Sequence, residues 1–184
     1  MRSLHSWSLR SLLALGLLVG GGAADAAESP AISVRLPFNQ YNLQLRGEDV
    51  VSLSLQLHRT PTGLRGRAFD VPTQLTLKEG GVSGVVGSTP VNLKVRQEGD
   101  TVHAEGGFIN GRVTLRFSPA ELHVYINQCT YKLTYTEGRY MGPRSCDSRL
   151  APPVELAVPS MFQALTPVEQ ATLLLFALTE PDRV

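Results

Sequence analysis

From about residue 50 to residue 136 the chain alternates apolar and polar positions with a period of two, in short runs broken by turn-forming clusters. A period of two puts successive side chains on opposite faces of a strand, so each run predicts a half-buried β-strand. One set of strands carries the same short signature: Leu55-Gln56-Leu57, Leu75-Thr76-Leu77, Leu93-Lys94-Val95, Leu115-Arg116-Phe117 and Leu133-Thr134-Tyr135, with starts 20, 18, 22 and 18 residues apart. A second set, LRGRAF, VSGVV, VHAEGGF and LHVYI, begins between them at Leu64, Val82, Val102 and Leu122, so the repeating unit is a pair of strands.

The connections are too short for parallel crossovers. Glu79-Gly80-Gly81, Glu98-Gly99-Asp100, Asn110-Gly111 and Ser118-Pro119-Ala120 hold the residues that tight turns require, and Asn-Gly at 110–111 predicts a hairpin tip. A coiled parallel β-helix has repeats of similar length and stands as the alternative. With ISVRL near residue 32 and NLQL at 42, about ten or eleven strands precede residue 136. The reading is an all-β, antiparallel up-and-down meander of about ten strands, closed into a barrel or folded into a two-layer sandwich, because a wide open sheet curls or splits.

The tail breaks the pattern. After Ala151-Pro152-Pro153, the stretch Thr166-Pro167-Val168-Glu169 is a capping box with proline at the first helical position. It predicts one C-terminal α-helix from about 167 to 179, ended by Pro181. Apolar residues cover most of its circumference, which argues for packing on the sheet or plugging a barrel mouth.

Alternation also assigns sides. Val51, Leu53, Leu55, Leu57, Leu75, Leu77, Val91, Leu93, Val95, Val113, Leu115, Phe117, Leu122, Val124, Ile126, Leu133 and Tyr135 form the expected core. The opposite face collects Arg65, Arg67, Lys78, Lys94, Arg96, Arg112, Arg116 and Lys132, while Glu79, Glu98, Asp100 and Glu121 fall at turns or strand ends. Arg65, Arg67, Lys94, Arg96, Arg112 and Arg116 are therefore the candidate binding residues for the phosphate or carboxylate groups of an anionic polysaccharide, lipid or protein. Basic residues on exposed strands also simply keep sheets apart. Nucleic acid is not expected as a partner, since this face has few aromatic rings for base stacking.

The ends of the chain and its cysteines set the compartment. Arg2 and Arg10, an apolar run over residues 12–19 and Ala24-Asp25-Ala26 have the order of a signal peptide, too short to span a bilayer, so residues 1–26 are expected to be removed. Residues 27–184 then form a single domain, secreted or periplasmic, with no transmembrane span. Losing Arg2, Arg10 and Asp25 turns 17 basic and 16 acidic residues into 15 of each, so bulk charge points to no partner. In an exported chain Cys129 and Cys146 have one possible pairing, and a disulfide there closes the stretch YKLTYTEGRYMGPRS, worth roughly 3 kcal/mol on chain entropy. Read as an exposed loop, its Arg144-Ser145 is what a protease inhibitor presents.

Chemistry is scarce. His58, His103 and His123 lie on three different strands without a carboxylate at metal-ligand spacing, and the glycine run from Gly80 to Gly87 lacks the Lys-Ser/Thr of a phosphate loop. There is no nucleophile elbow and no zinc-protease helix. No catalytic residue, metal or cofactor is expected. Strands of about six residues without aromatic girdles argue against an outer-membrane barrel. The functional expectation is an exported, non-catalytic binding or structural protein of the cell envelope. The alternatives are a lipocalin-like carrier of an apolar ligand, for which Gly66, Ala68, Gly84 and Ala104 suggest spare interior volume, and an inhibitor acting through the disulfide-tied segment 129–146.

Overall fold

The alternating runs become strands that pair in chain order until the last meets the first. The structure is a computed structural model that describes residues 30–37, 39–109 and 111–179; the expected signal peptide, residues 1–26, lies outside them. Its first seven strands are β1 (Ala31–Arg35), β2 (Gln40–Arg46), β3 (Asp49–Val51), β4 (Leu55–Thr60), β5 (Gly63–Ala68), β6 (Val71–Lys78) and β7 (Gly81–Val86). There follow β8 (Thr89–Glu98), β9 (Thr101–Phe108), β10 (Gly111–Phe117), β11 (Glu121–Ile126), β12 (Cys129–Thr136), β13 (Arg139–Cys146) and β14 (Arg149–Ala157). Every neighbouring pair is antiparallel, and β1 closes the ring on β14 with Val34 opposite Leu156. The meander is thus a barrel, not a sandwich or a β-helix, and closure leaves no sheet edge exposed.

Of the three strands beyond the eleven read from the sequence, β3, β13 and β14, the last two are stretches that do not look like strands. The disulfide-tied segment is the β12–β13 hairpin, with Cys129 bonded to Cys146 directly opposite it and Glu137-Gly138 at the turn, so Arg144-Ser145 lies in a strand and not in an exposed loop. The proline-rich connection is part of β14. Its ladder with β13 passes from Gly142 opposite Val154 to Arg144 opposite Ala151, so Pro143 faces Pro152 and Pro153 across a bulge, where a missing N–H interrupts no regular ladder.

The period near twenty has a structural meaning. Leu57, Leu75 and Leu93 stand opposite Gly66, Gly84 and Gly106, whose φ angles of 146°, 145° and 144° are open to glycine alone. A Cβ on any of the three would stand 2.1 Å from a backbone oxygen of the neighbouring strand. These glycines bend β5, β7 and β9 and let the wall curve. Gly66 and Gly84 are therefore not spare interior volume: where their side chains would stand, there is already backbone.

The lumen is filled. From Ala157 the chain crosses one mouth through a short 3-10 helix (Ser160–Ala164) and enters the barrel as α1 (Pro167–Thr179). α1 begins where the capping box places it: the Thr166 backbone N–H donates to Glu169 at 2.9 Å and the Glu169 N–H to the Thr166 hydroxyl at 3.3 Å. It touches β1 and β2 on one side and β8 and β9 on the other, and in a ring of fourteen β1 and β8 are seven strands apart whichever way one counts. A helix packed against diametrically opposite walls needs an apolar surface all round, and every residue from Gln170 to Thr179 is buried. Its polar residues are satisfied within: the hydroxyls of Thr172 and Thr179 donate to the carbonyls one turn back, and Gln170 donates to the carbonyl of Phe162. Arg59 reaches Glu169 at the entry, while at the far end Phe176 packs against Phe69 and Phe108.

Most of the expected core is buried, with instructive exceptions. Leu53 is fully exposed and Val51 only half-buried, whereas Val50 is completely buried. What reads as one strand over 51–57 is two, separated by a serine turn in which the Ser54 N–H donates to the Ser52 hydroxyl, and the turn reverses which residues face inward. Leu77 is also only partly buried. Tyr135 follows the inward phase but sits at the rim, 46% exposed, its ring edge-on to Tyr140. At the β9–β10 hairpin Gly111 pairs with Phe108 and so belongs to the strand instead of the tip, and Asn110 lies outside the described residues.

Tyr140 couples this packing to pH. Its hydroxyl donates to the Ser118 carbonyl at 2.9 Å from a site 1% exposed. Burial, then the neighbouring Tyr135, pushes its pKa from 10.0 up to about 12. The folded protein therefore keeps a proton that the unfolded chain gives up above pH 10, and a stabilisation complete below pH 10 disappears as pH rises to 12, roughly 3 kcal/mol at most. Urea midpoints are expected to fall steeply across that window, and less steeply in Tyr140→Phe.

Candidate anion-binding face

Inward packing dictates what points outward. Val95, Ala104, Leu115, Val124 and Tyr131 on β8 to β12 are buried, so by alternation their successors and predecessors face solvent. The hairpin turns then fix which outward residues meet. Arg96 and His103 are each three residues from the Gly99-Asp100 turn, and Arg116 and His123 are each three from Pro119-Ala120. The ladder accordingly puts Arg96 opposite His103, His103 opposite Arg116, Arg116 opposite His123 and His123 opposite Lys132. Five basic side chains on five consecutive strands form one straight row, about 19 Å long at the usual strand spacing.

Two glutamates organise it. Glu98 lies 2.8 Å from Arg96 and 3.6 Å from His103, and Glu121 lies 3.0 Å from Arg116 and 3.5 Å from His123. The same Arg, His and Glu grouping thus occurs twice, two strands apart. Among the described residues neither Lys132 nor Lys94 has an ion pair. All five row residues and Lys94 line a surface cavity of about 580 Å³, which also takes in Glu105, Thr114, Tyr125 and Thr130 from the next row. Tyr125 presents a ring 40% exposed beside the charges.

The structure separates the sequence candidates. Lys94, Arg96 and Arg116 come together. Arg112 is exposed but lies toward the other end of β10, opposite Gly107. Arg65 and Arg67 are exposed on β5, three strands from β8; Arg65 lies between His58 and Gln74, and Arg67 donates to the Asp70 carbonyl. His103 and His123, which sequence reasoning passed over as binding residues, stand in the middle of the row, and Glu98 and Glu121, taken as turn acids, are its counter-ions. Equal spacing of each pair from its turn is the signal in the sequence that places them there. His58 sits elsewhere, between Asp49 at 2.9 Å and Glu48 at 3.3 Å. Cys129 and Cys146 lie on β12 and β13 as a structural staple.

Other outward positions include the polar Gln56, Gln74, Ser83, Asn92 and Thr134, with Val71, Val85, Met141 and Leu150 exposed among them. Among the described residues no helix is long and apolar enough to cross a membrane, and no group of three His, Cys, Asp or Glu side chains could hold a metal ion. No protein family, curated protein or solved structure matches the chain.

Proposed function

We propose that this is an exported, non-catalytic binding protein of the cell envelope that holds a linear anionic glycan along the outward face of β8 to β12. The observation that carries the reading is the straight row from Arg96 to Lys132 in its cavity. Guanidinium groups give directional hydrogen bonds to carboxylate, sulfate or phosphate, a row of this length suits an extended polymer better than a single head group, and Tyr125 offers a ring for a sugar to pack on. The carrier reading requires interior volume that α1 occupies, and the inhibitor reading requires a loop where β13 runs as a strand.

The test compares two double variants of equal charge change. Arg96→Glu with Arg116→Glu is expected to weaken binding of dextran sulfate on the order of 100-fold at low salt and to flatten its salt dependence. Arg65→Glu with Arg67→Glu, on another wall, is expected to cost only a few-fold through net charge. Equal losses in the two variants would mean that the row is an ordinary solvated surface.

A further inference from the structure

Resting on the reading above, we infer that His103 and His123 contact the glycan as cations, so that acid tightens its capture. The two histidines are the second and fourth members of the row, flanked on both sides by fixed positive charge. His103 faces Arg96 on β8 and Arg116 on β10, with Glu98 at 3.6 Å and Glu105 two residues along its own strand. His123 faces Arg116 on β10 and Lys132 on β12, with Glu121 at 3.5 Å and Tyr125 on its own strand. Both rings line the cavity, and their side chains are 23% and 44% exposed.

The charge balance makes these two residues decisive. Lys94, Arg96, Arg116 and Lys132 supply four positive charges against the three carboxylates of Glu98, Glu105 and Glu121. With neutral imidazoles the patch carries a net charge of only +1; with both protonated it carries +3. Histidine is the side chain whose charge ordinarily changes between pH 5 and 8, and a bound polyanion favours the charged form. The glutamates sharpen the effect. While the imidazoles are neutral, Glu98 and Glu121 are engaged by Arg96 and Arg116 and oppose the ligand; once charged, each imidazole offers its glutamate a second partner and releases arginine donors toward the glycan.

Dextran sulfate suits the measurement, because sulfate esters keep their charge across this range and any pH effect belongs to the protein. Affinity is read by fluorescence anisotropy of labelled dextran sulfate at pH 8 and pH 5.5 at constant ionic strength. The wild type is expected to bind at least about ten-fold more tightly at pH 5.5. His103→Gln with His123→Gln, a change confined to the outward face, is expected to bind with the same affinity at both pH values. Tightening that survives in the glutamine variant, or a wild type with equal affinity at both pH values, overturns the inference. If in that case Arg96→Glu with Arg116→Glu still abolishes binding, the proposed function stands without its acid dependence. Capture of phosphatidylglycerol vesicles with no binding of dextran sulfate at either pH overturns both, and makes the partner a membrane surface.

Discussion

A chain ending at Leu165 is expected not to fold, rather than to yield an open barrel with a vacant interior. α1 brings Val168, Leu173, Leu174, Leu175, Phe176 and Leu178 into the lumen, each at most 7% exposed. At about 1.5–3 kcal/mol per large apolar side chain, their burial contributes on the order of 10 kcal/mol, as much as the whole stability of a typical domain. The loss is double-sided, because Phe69, Phe108 and the inward residues of β1, β8 and β9 would also face water. The truncated protein should show no cooperative melt, a lost near-ultraviolet circular dichroism signal and strong binding of an apolar dye. A sharp melt with a fatty acid bound inside would instead identify α1 as a removable plug and revive the carrier reading.

Gly84→Ala is expected to be strongly destabilising although it adds a single methyl group. At φ 145° an alanine is strained wherever it stands, and its Cβ would lie 2.1 Å from the Gln74 oxygen and 2.9 Å from the Leu75 Cα, both main-chain atoms that cannot swing aside. Strained backbone costs on the order of 1–3 kcal/mol, and displacing a ladder in the middle of a closed wall adds to it, so a loss of about 3 kcal/mol or more is expected in urea unfolding. Gly99→Ala, at a turn where nothing stands within 4 Å, should cost much less. Equal losses at the two positions would mean that the wall yields at Gly84 and that curvature is set elsewhere.

Much of the barrel was legible because one face of each strand is apolar and the other polar, so the period of two survives from Leu55 to Leu133. The helix was legible because Thr166 to Glu169 is a local signal that needs no tertiary context. What escaped detection depends on partners distant in sequence. The turns at Phe69-Asp70, Asn127-Gln128 and Asp147-Ser148 carry positive φ without glycine, and from the first of them the Phe69 ring packs toward Phe176. β14 was hidden by prolines that are harmless only because they gather at a bulge. A stronger signal was present in the spacing itself: Leu57 and Gly66, Leu75 and Gly84, and Leu133 and Gly142 are each nine residues apart, and in each pair the glycine lies against the leucine's backbone across a hairpin. The basic face was visible as a composition of one side. Its resolution into a row with two histidines inside it needed the register, which each turn fixes by symmetry about its centre.

The seam between β1 and β14 and the helix inside the ring together impose an order of assembly. Hairpins from β4 to β13 join residues close in sequence and can form early and independently, each with its own turn. The seam joins residues more than a hundred positions apart, and the lining is complete only when the last segment of the chain has been drawn in. Until then fourteen strands' worth of inward apolar surface lacks its filling, which makes the incomplete barrel the state most exposed to aggregation. Folding of this protein is therefore expected to end, rather than begin, with its hydrophobic centre.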